Sequence, residues 1–260
     1  MTAGSTFITI KDHKESFPGK VECRLINPAK NHIGTISKSI LDRINISLRS
    51  VKRSNHWQNT KAAVDWFNSI PSKKNKTFFK FDIVSFYPSI KKELLMNAIN
   101  WARTHTSISE EELNIILHCR KTFLFFQDEC WVKKSDQEFD VSMGSLDSAE
   151  VCELVGLFLL SELESLIPKD QMGIYRDDGL AVTELPGPDI EKLRKKVIKL
   201  FATHKLKITT QVNITTTDFL DVLFNLKTGI HRPYKKATCE PIYVNINSNH
   251  PRHVKKELHR

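Results

Sequence analysis

Three observations predict a mixed α+β fold for this 260-residue chain. Helical and strand-like segments succeed one another without the regular alternation of a doubly wound sheet. Two acidic stations are wedged into apolar, strand-forming sequence: Asp82 within residues 78–90, and Asp177-Asp178, 95 residues further on, within residues 173–182. A hydrophobic content of 40% with 15 Phe is enough for one large domain or two modest ones.

Residues 6–10 read as a strand, and a second short apolar segment over 21–26 follows the turn signal Pro18-Gly19. The spacing of Ile40, Leu41, Ile44 and Leu48 predicts a helix over 37–48. A helix over 62–70 is ended by Pro71, and 78–84 reads as a buried strand. Helices are predicted over 91–104, with Leu94, Leu95, Ala98 and Trp101 on one stripe, and over 110–119. Two strands flank the polar turn at 127–129. Met143-Gly144-Ser145 introduces a helix of about twenty residues that Pro168 stops. Asp177-Asp178 sits at a hairpin turn. Asp189 is the predicted cap of a helix carrying Ile190, Leu193, Val197, Leu200 and Phe201 on its apolar face. Segments 207–214 and 218–226 read as strands.

The formal charge of +9 and the pI of about 9.2 suit a polyanionic partner. Five cysteines without a CxxC pair indicate neither a zinc ribbon nor a disulfide framework and fit a reducing, intracellular setting. The N-terminus lacks the apolar core of a secretory signal, and the longest apolar run, near 154–160, is too short to span a bilayer. No membrane partner is expected.

Buried carboxylates require cationic compensation. A sheet that sets the two acidic stations side by side brings three carboxylates together, where they raise one another's pKa. A divalent metal resolves that conflict, and magnesium prefers carboxylate and water ligands. Two such ions serve nucleotidyl transfer. Asp82 and Asp177 are the expected primary ligands, with Asp178 supporting them. The competing structural reading makes Asp82 a turn cap and Asp177-Asp178 a plain hairpin tip.

The motifs sharpen this. FDIVSFYPSI (81–90) resembles motif A of reverse transcriptases, and YRDD (175–178) resembles their motif C. MGSLDSAEVCELVG (143–156) resembles motif B, TDFLDVLFNL (217–226) the primer-grip hairpin, and KDHK with RLINP (11–28) the fingers motifs. The tail IYVNINSNHPRHVKK (242–256) resembles the start of the thumb in Penelope-like retroelements. The chain departs from the family where Leu146-Asp147 stands in place of the usual motif B proline. It departs again where Thr215-Thr216-Thr217 replaces the motif D lysine, for which Lys205 or Lys207 could substitute.

The resemblance implies an RNA-directed DNA polymerase with a right-hand palm, an antiparallel sheet backed by helices. Residues 1–76 would form a fingers segment, 77–215 the palm with a fingers insertion around 105–140, and 216–260 the primer grip and the beginning of the thumb. Catalysis falls to Asp82, Asp177 and Asp178 with two magnesium ions, manganese being the substitute. Tyr87 would gate the sugar, excluding a 2′-hydroxyl. Arg24 and Lys11 would clamp the triphosphate. Gly144 and Ser145 would let the backbone approach the incoming deoxynucleotide, and Phe219, Leu220 and Asp221 would hold the primer. The partners implied are an RNA or DNA template with a primer 3′ end and deoxynucleoside triphosphates, and the residence implied is nuclear. Arg176 is expected to face away from the carboxylates. Lys73, Lys74 and Lys76, like His250 and His253, suit backbone phosphates or plain exposure. Residues 82–90 also resemble a family B DNA polymerase pattern, although Asp177-Asp178 does not match that family's acidic-Thr-acidic turn. A non-catalytic retroelement fragment is the other alternative.

Overall fold

The computed structural model describes residues 6–11, 17–28, 31–126, 128–132 and 138–235. The chain opens with an antiparallel ribbon of β1 (Phe7–Ile10) and β2 (Cys23–Ile26). Helix α1 (His32–Lys52) is capped by the Asn31 side chain, which accepts from the Gly34 N–H at 2.6 Å. It buries Leu41, Ile44 and Leu48, as the spacing requires. α2 (Thr60–Ser69), β3 (Thr77–Ile83), α3 (Phe86–Ser89) and α4 (Lys92–Arg103) follow. α5 (Glu110–His118) starts on a capping box in which Ser109 and Glu112 exchange side-chain-to-backbone bonds. A second ribbon pairs β4 (Leu124–Phe126) with β5 (Glu129–Trp131). Then come α6 (Ser148–Leu163), β6 (Met172–Tyr175), β7 (Asp178–Thr183) and α7 (Gly187–Thr203). β8 (Ile208–Ile214), β9 (Thr216–Phe219), β10 (Val222–Asn225) and β11 (Ile230–Pro233) complete the described elements.

The central sheet runs β6-β7-β3-β8, antiparallel throughout. Its register sorts side chains by face, because residues directly opposite one another share a side. Phe79, Phe81, Ile83, Ala181, Met172 and Ile174 belong to one core with α1, α4, α6 and α7. Phe78, Leu180 and Val182 point the other way, into a second core with α2 and the β9–β10 hairpin. Trp57 organises that second core, with Trp66 at 5.0 Å and Phe219 at 5.3 Å between ring centroids. Strand β3 is therefore buried on both sides over most of its length, which is why 78–83 reads as a nearly continuous apolar run.

Three predicted elements differ from the structure. The run 218–226 is not one strand but the hairpin β9–β10, turned by Leu220 (φ +48°) and Asp221 (φ +59°). Neither is Gly or Asn, so the turn carries no strong sequence signal. Helix α6 begins at Ser148 rather than beside Gly144, because Gly144 has φ +97° and lies against the chain at Ile26–Asn27. Helix α7 begins at Gly187 behind Pro186, so Asp189 is a first-turn residue bonded to Lys192 at 2.8 Å rather than a cap. The start of α6 is held by a buried ion pair. Arg120 and Asp147 are 1% and 2% exposed, and the free oxygen of Asp147 accepts from Ser37 of α1 at 2.5 Å. Among the described residues no helix is long and apolar enough to cross a membrane.

Candidate active site

The two acidic stations meet. Strand β3 places Asp82 directly opposite Asp178 of β7, and the Ile83 N–H donates to the Asp177 carbonyl at 2.9 Å. Asp177 sits in the two-residue turn between β6 and β7, where Arg176 has φ +53°. Asp82 and Asp178 lie on the face of the sheet that carries Phe78, Leu180 and Val182, beyond the end of the second core. The same alternation leaves Thr209 of β8 exposed opposite Asp82.

The close approach of β3 and β7 is built by a glycine. Gly179, opposite Phe81, has room for no side chain, since a Cβ there would meet the Phe81 ring at about 2 Å. Phe81 thus lies over the backbone immediately after the acidic pair and fixes the strands that carry it.

The electrostatics follow from this arrangement. Burial pushes the Asp178 carboxyl up to about 6, and the charges of Asp177 and Asp82 push in the same direction; Lys80, also on β3, opposes them. Asp177 and Asp82 thus act on Asp178 with the same sign as its burial.

Tyr87 stands in α3, just past a turn at Ser85 with φ +52°. Its phenol is pushed up to about 12 by burial and by its bonded neighbour Cys152 on α6. Asp177 raises it and Arg176 lowers it, so Tyr87 belongs to the same cluster as the turn. Arg176 is exposed, as expected, with its guanidinium 5.4 Å from the Tyr175 ring centre.

No family model and no curated protein matches the chain. Solved structures do. A truncated telomerase from Candida tropicalis matches with a TM-score of 0.59 at 14% identity, over 82% of this chain and 52% of that one. The RNA-dependent RNA polymerase of a human picobirnavirus matches with a TM-score of 0.63 at 11% identity, over 86% and 44%. Telomerase from Candida albicans, solved with a fragment of telomeric RNA, matches with a TM-score of 0.55 at 14% identity, over 84% and 39%. The chain has a polymerase-like fold. It spans about half the length of the telomerase it matches first, and at these identities the likeness is one of fold.

The remaining predicted residues stand on other elements. Lys11 and Arg24 stand on the separate β1–β2 ribbon, where Lys11 is engaged with Glu22 at 3.3 Å. Gly144 meets Ile26 and Asn27 of the chain itself, and the Asn27 N–H donates to the Met143 carbonyl at 2.8 Å, so the loop before α6 docks that ribbon. Ser145 lies in this same loop. Of the predicted primer-grip residues, Phe219 is 3% exposed and packed on Trp57. Leu220 and Asp221 form the turn at the hairpin tip, where Asp221 is exposed. Lys14, His250, His253 and the tail over 242–256 lie outside the described residues. Two residues escaped the sequence reading. Lys80 and Cys152 touch the cluster from positions that only strand register and helix packing reveal.

Proposed function

We propose that this chain is the catalytic core of a template-directed nucleic-acid polymerase, and specifically of an RNA-directed DNA polymerase of retroelement origin. One observation carries the reading: Asp82 and Asp178 face each other across β3 and β7, with Asp177 in the adjoining turn. The polymerase-like fold and the ordered motifs support it. Residues 77–215 then correspond to the palm, the β1–β2 ribbon to part of the fingers, and the β9–β10 hairpin to the primer grip.

The donor set fits magnesium. It consists of hard carboxylate oxygens whose crowding leaves Asp178 in need of positive charge. Among the described residues no three His, Cys, Asp or Glu side chains form a ready-made metal cage. Asp82, Asp177 and Asp178 would hold two ions, whose contribution is to acidify the primer 3′-hydroxyl and neutralise the triphosphate. Tyr87, half-buried and tied to Cys152, would present a fixed ring beneath the sugar and reject a 2′-hydroxyl. Arg24, with Lys11, would reach the triphosphate from the ribbon.

The viral RNA polymerase among the matches supports a second reading, in which ribonucleotides are added. Primer extension on RNA and on DNA templates, with each nucleotide type and magnesium, separates the two. Extension on RNA with deoxynucleotides is expected, and Asp177→Ala should reduce it by a thousandfold or more, on the scale of about 4 kcal/mol. Tyr87→Ala should admit ribonucleotides. Nucleic-acid binding without extension in the intact chain would reduce the protein to a non-catalytic fragment, and extension confined to DNA templates would overturn the RNA-directed assignment.

A further inference from the structure

Lys80 lies two residues before Asp82 on the same face of β3. Its ammonium donates to the main-chain carbonyl of Asp218 at 2.7 Å and approaches that residue's carboxylate at 3.3 Å. Asp218 belongs to β9, in the three-stranded sheet β11-β10-β9 that is separate from the central sheet. The contact spans 138 positions of sequence and ties one sheet to the other. The Lys80 side chain is 19% exposed, while the Asp218 side chain is 44% exposed. The stronger of the two bonds goes to backbone, which fixes the path of β9 itself. On the far side of that strand, Phe219 anchors the hairpin against Trp57.

We infer that Lys80 is a positioning residue that sets the β9–β10 hairpin, and with it the primer end, relative to the carboxylates. The inference rests on the polymerase reading, in which that hairpin grips the primer. Apolar contacts of Phe219 and Phe224 can hold the hairpin onto the molecule but resist sliding weakly, because they are non-directional. A charge-assisted bond to one carbonyl has direction and length. Since it originates on the strand bearing Asp82, the hairpin and the carboxylates share one rigid reference.

The test compares the intact chain with Lys80→Met and Lys80→Arg in two measurements. Amide hydrogen exchange, without nucleic acid, reads the tether directly. Lys80→Met should accelerate exchange across 216–225 by about tenfold or more while leaving α6 protected, and Lys80→Arg should restore protection. Steady-state primer extension reads the consequence. The KM for primer–template should rise about tenfold to a hundredfold in Lys80→Met while the nucleotide KM stays within about twofold, a split that general loosening of the fold does not produce. Unchanged exchange at 216–225 overturns the tether, and an equal rise in both KM values overturns its assignment to the primer. If the intact chain extends no primer, the polymerase reading fails, and the exchange data alone uphold or refute the tether. If Lys80→Met does not fold, Asp218→Asn, which keeps the carbonyl acceptor and removes the carboxylate charge, should give a smaller shift of the same kind. No shift in that variant overturns the proposal.

Discussion

Asp178 is stabilising to the reaction proposed and destabilising to the fold. Its carboxyl ordinarily titrates near 3.8 and is raised to about 6 by burial, Asp177 and Asp82. The folded state therefore binds a proton more tightly than the unfolded chain, so this group's stability is greatest below about pH 4 and is lost as pH rises through about 6. His56 has the opposite sign. Burial, reinforced by Arg49, pushes it from 6.5 down to about 4, so its share of stability is present above pH 6.5 and is lost as pH falls toward 4. The two slopes oppose each other in the intact chain. Replacing Asp178 with Asn isolates one of them. Asp178→Asn is expected to be more stable than the parent by about 1–3 kcal/mol at pH 8, with the difference shrinking below pH 6 and vanishing near pH 4. Urea melts across that range check it, and a constant difference at every pH would show that Asp178 is not held under repulsion. Magnesium at pH 8 should narrow the same difference by stabilising only the parent.

At the scale of elements, legibility followed local signal. Strand β3 and the β6–β7 hairpin were readable because apolar runs bracket acidic turns, and α1, α4 and α7 because their apolar positions recur with helical spacing. The β9–β10 turn was not, since Leu220 adopts left-handed backbone that such a side chain rarely takes and Asp221 beside it is only a weak signal. Nor was the true start of α6, since it follows the bend at Gly144 and is held by a contact between residues 27 positions apart. Arg120, at the end of α5, pairs with Asp147 before α6, and Ser37 of α1 completes the set, so three helices meet at one buried ion pair. Asp147 thereby has a structural role: its carboxylate joins helices. Arg120→Met should cost about 3–5 kcal/mol by stranding that carboxylate, whereas Arg120→Met with Asp147→Leu should recover much of the loss. Chemical denaturation of both variants decides it, and equal losses in the two would mean that the pair itself, rather than the stranded charge, is what stabilises.

For the molecule as a whole, the excess of 39 Lys and Arg over 30 Asp and Glu sets how it would meet the nucleic acid of the proposed function. The three carboxylates repel phosphate, so attraction must come from cations elsewhere on the surface. Lys195, Lys196 and Lys199 crowd the exposed side of α7, on the helix-covered face of the sheet, while Arg24 and Lys20 stand along the first ribbon. Binding driven by such distributed charge releases counterions and weakens steeply with salt. If six to ten phosphates are neutralised, affinity for a primer–template should fall by roughly a thousandfold or more between 50 and 200 mM salt. The logarithmic slope should be the same for RNA and DNA templates of equal length to within about one unit if, as in the proposed function, backbone and shape rather than base edges are contacted. Asp177→Ala removes a negative charge without removing a cation, so it should bind the primer–template at least as tightly as the parent, with an unchanged salt slope, while failing to extend it. Fluorescence anisotropy titrations over a salt series measure all of this. A flat salt dependence would mean that the basic surface does not contact the nucleic acid, and weaker binding by Asp177→Ala would mean that the acidic turn holds the substrate rather than transforming it.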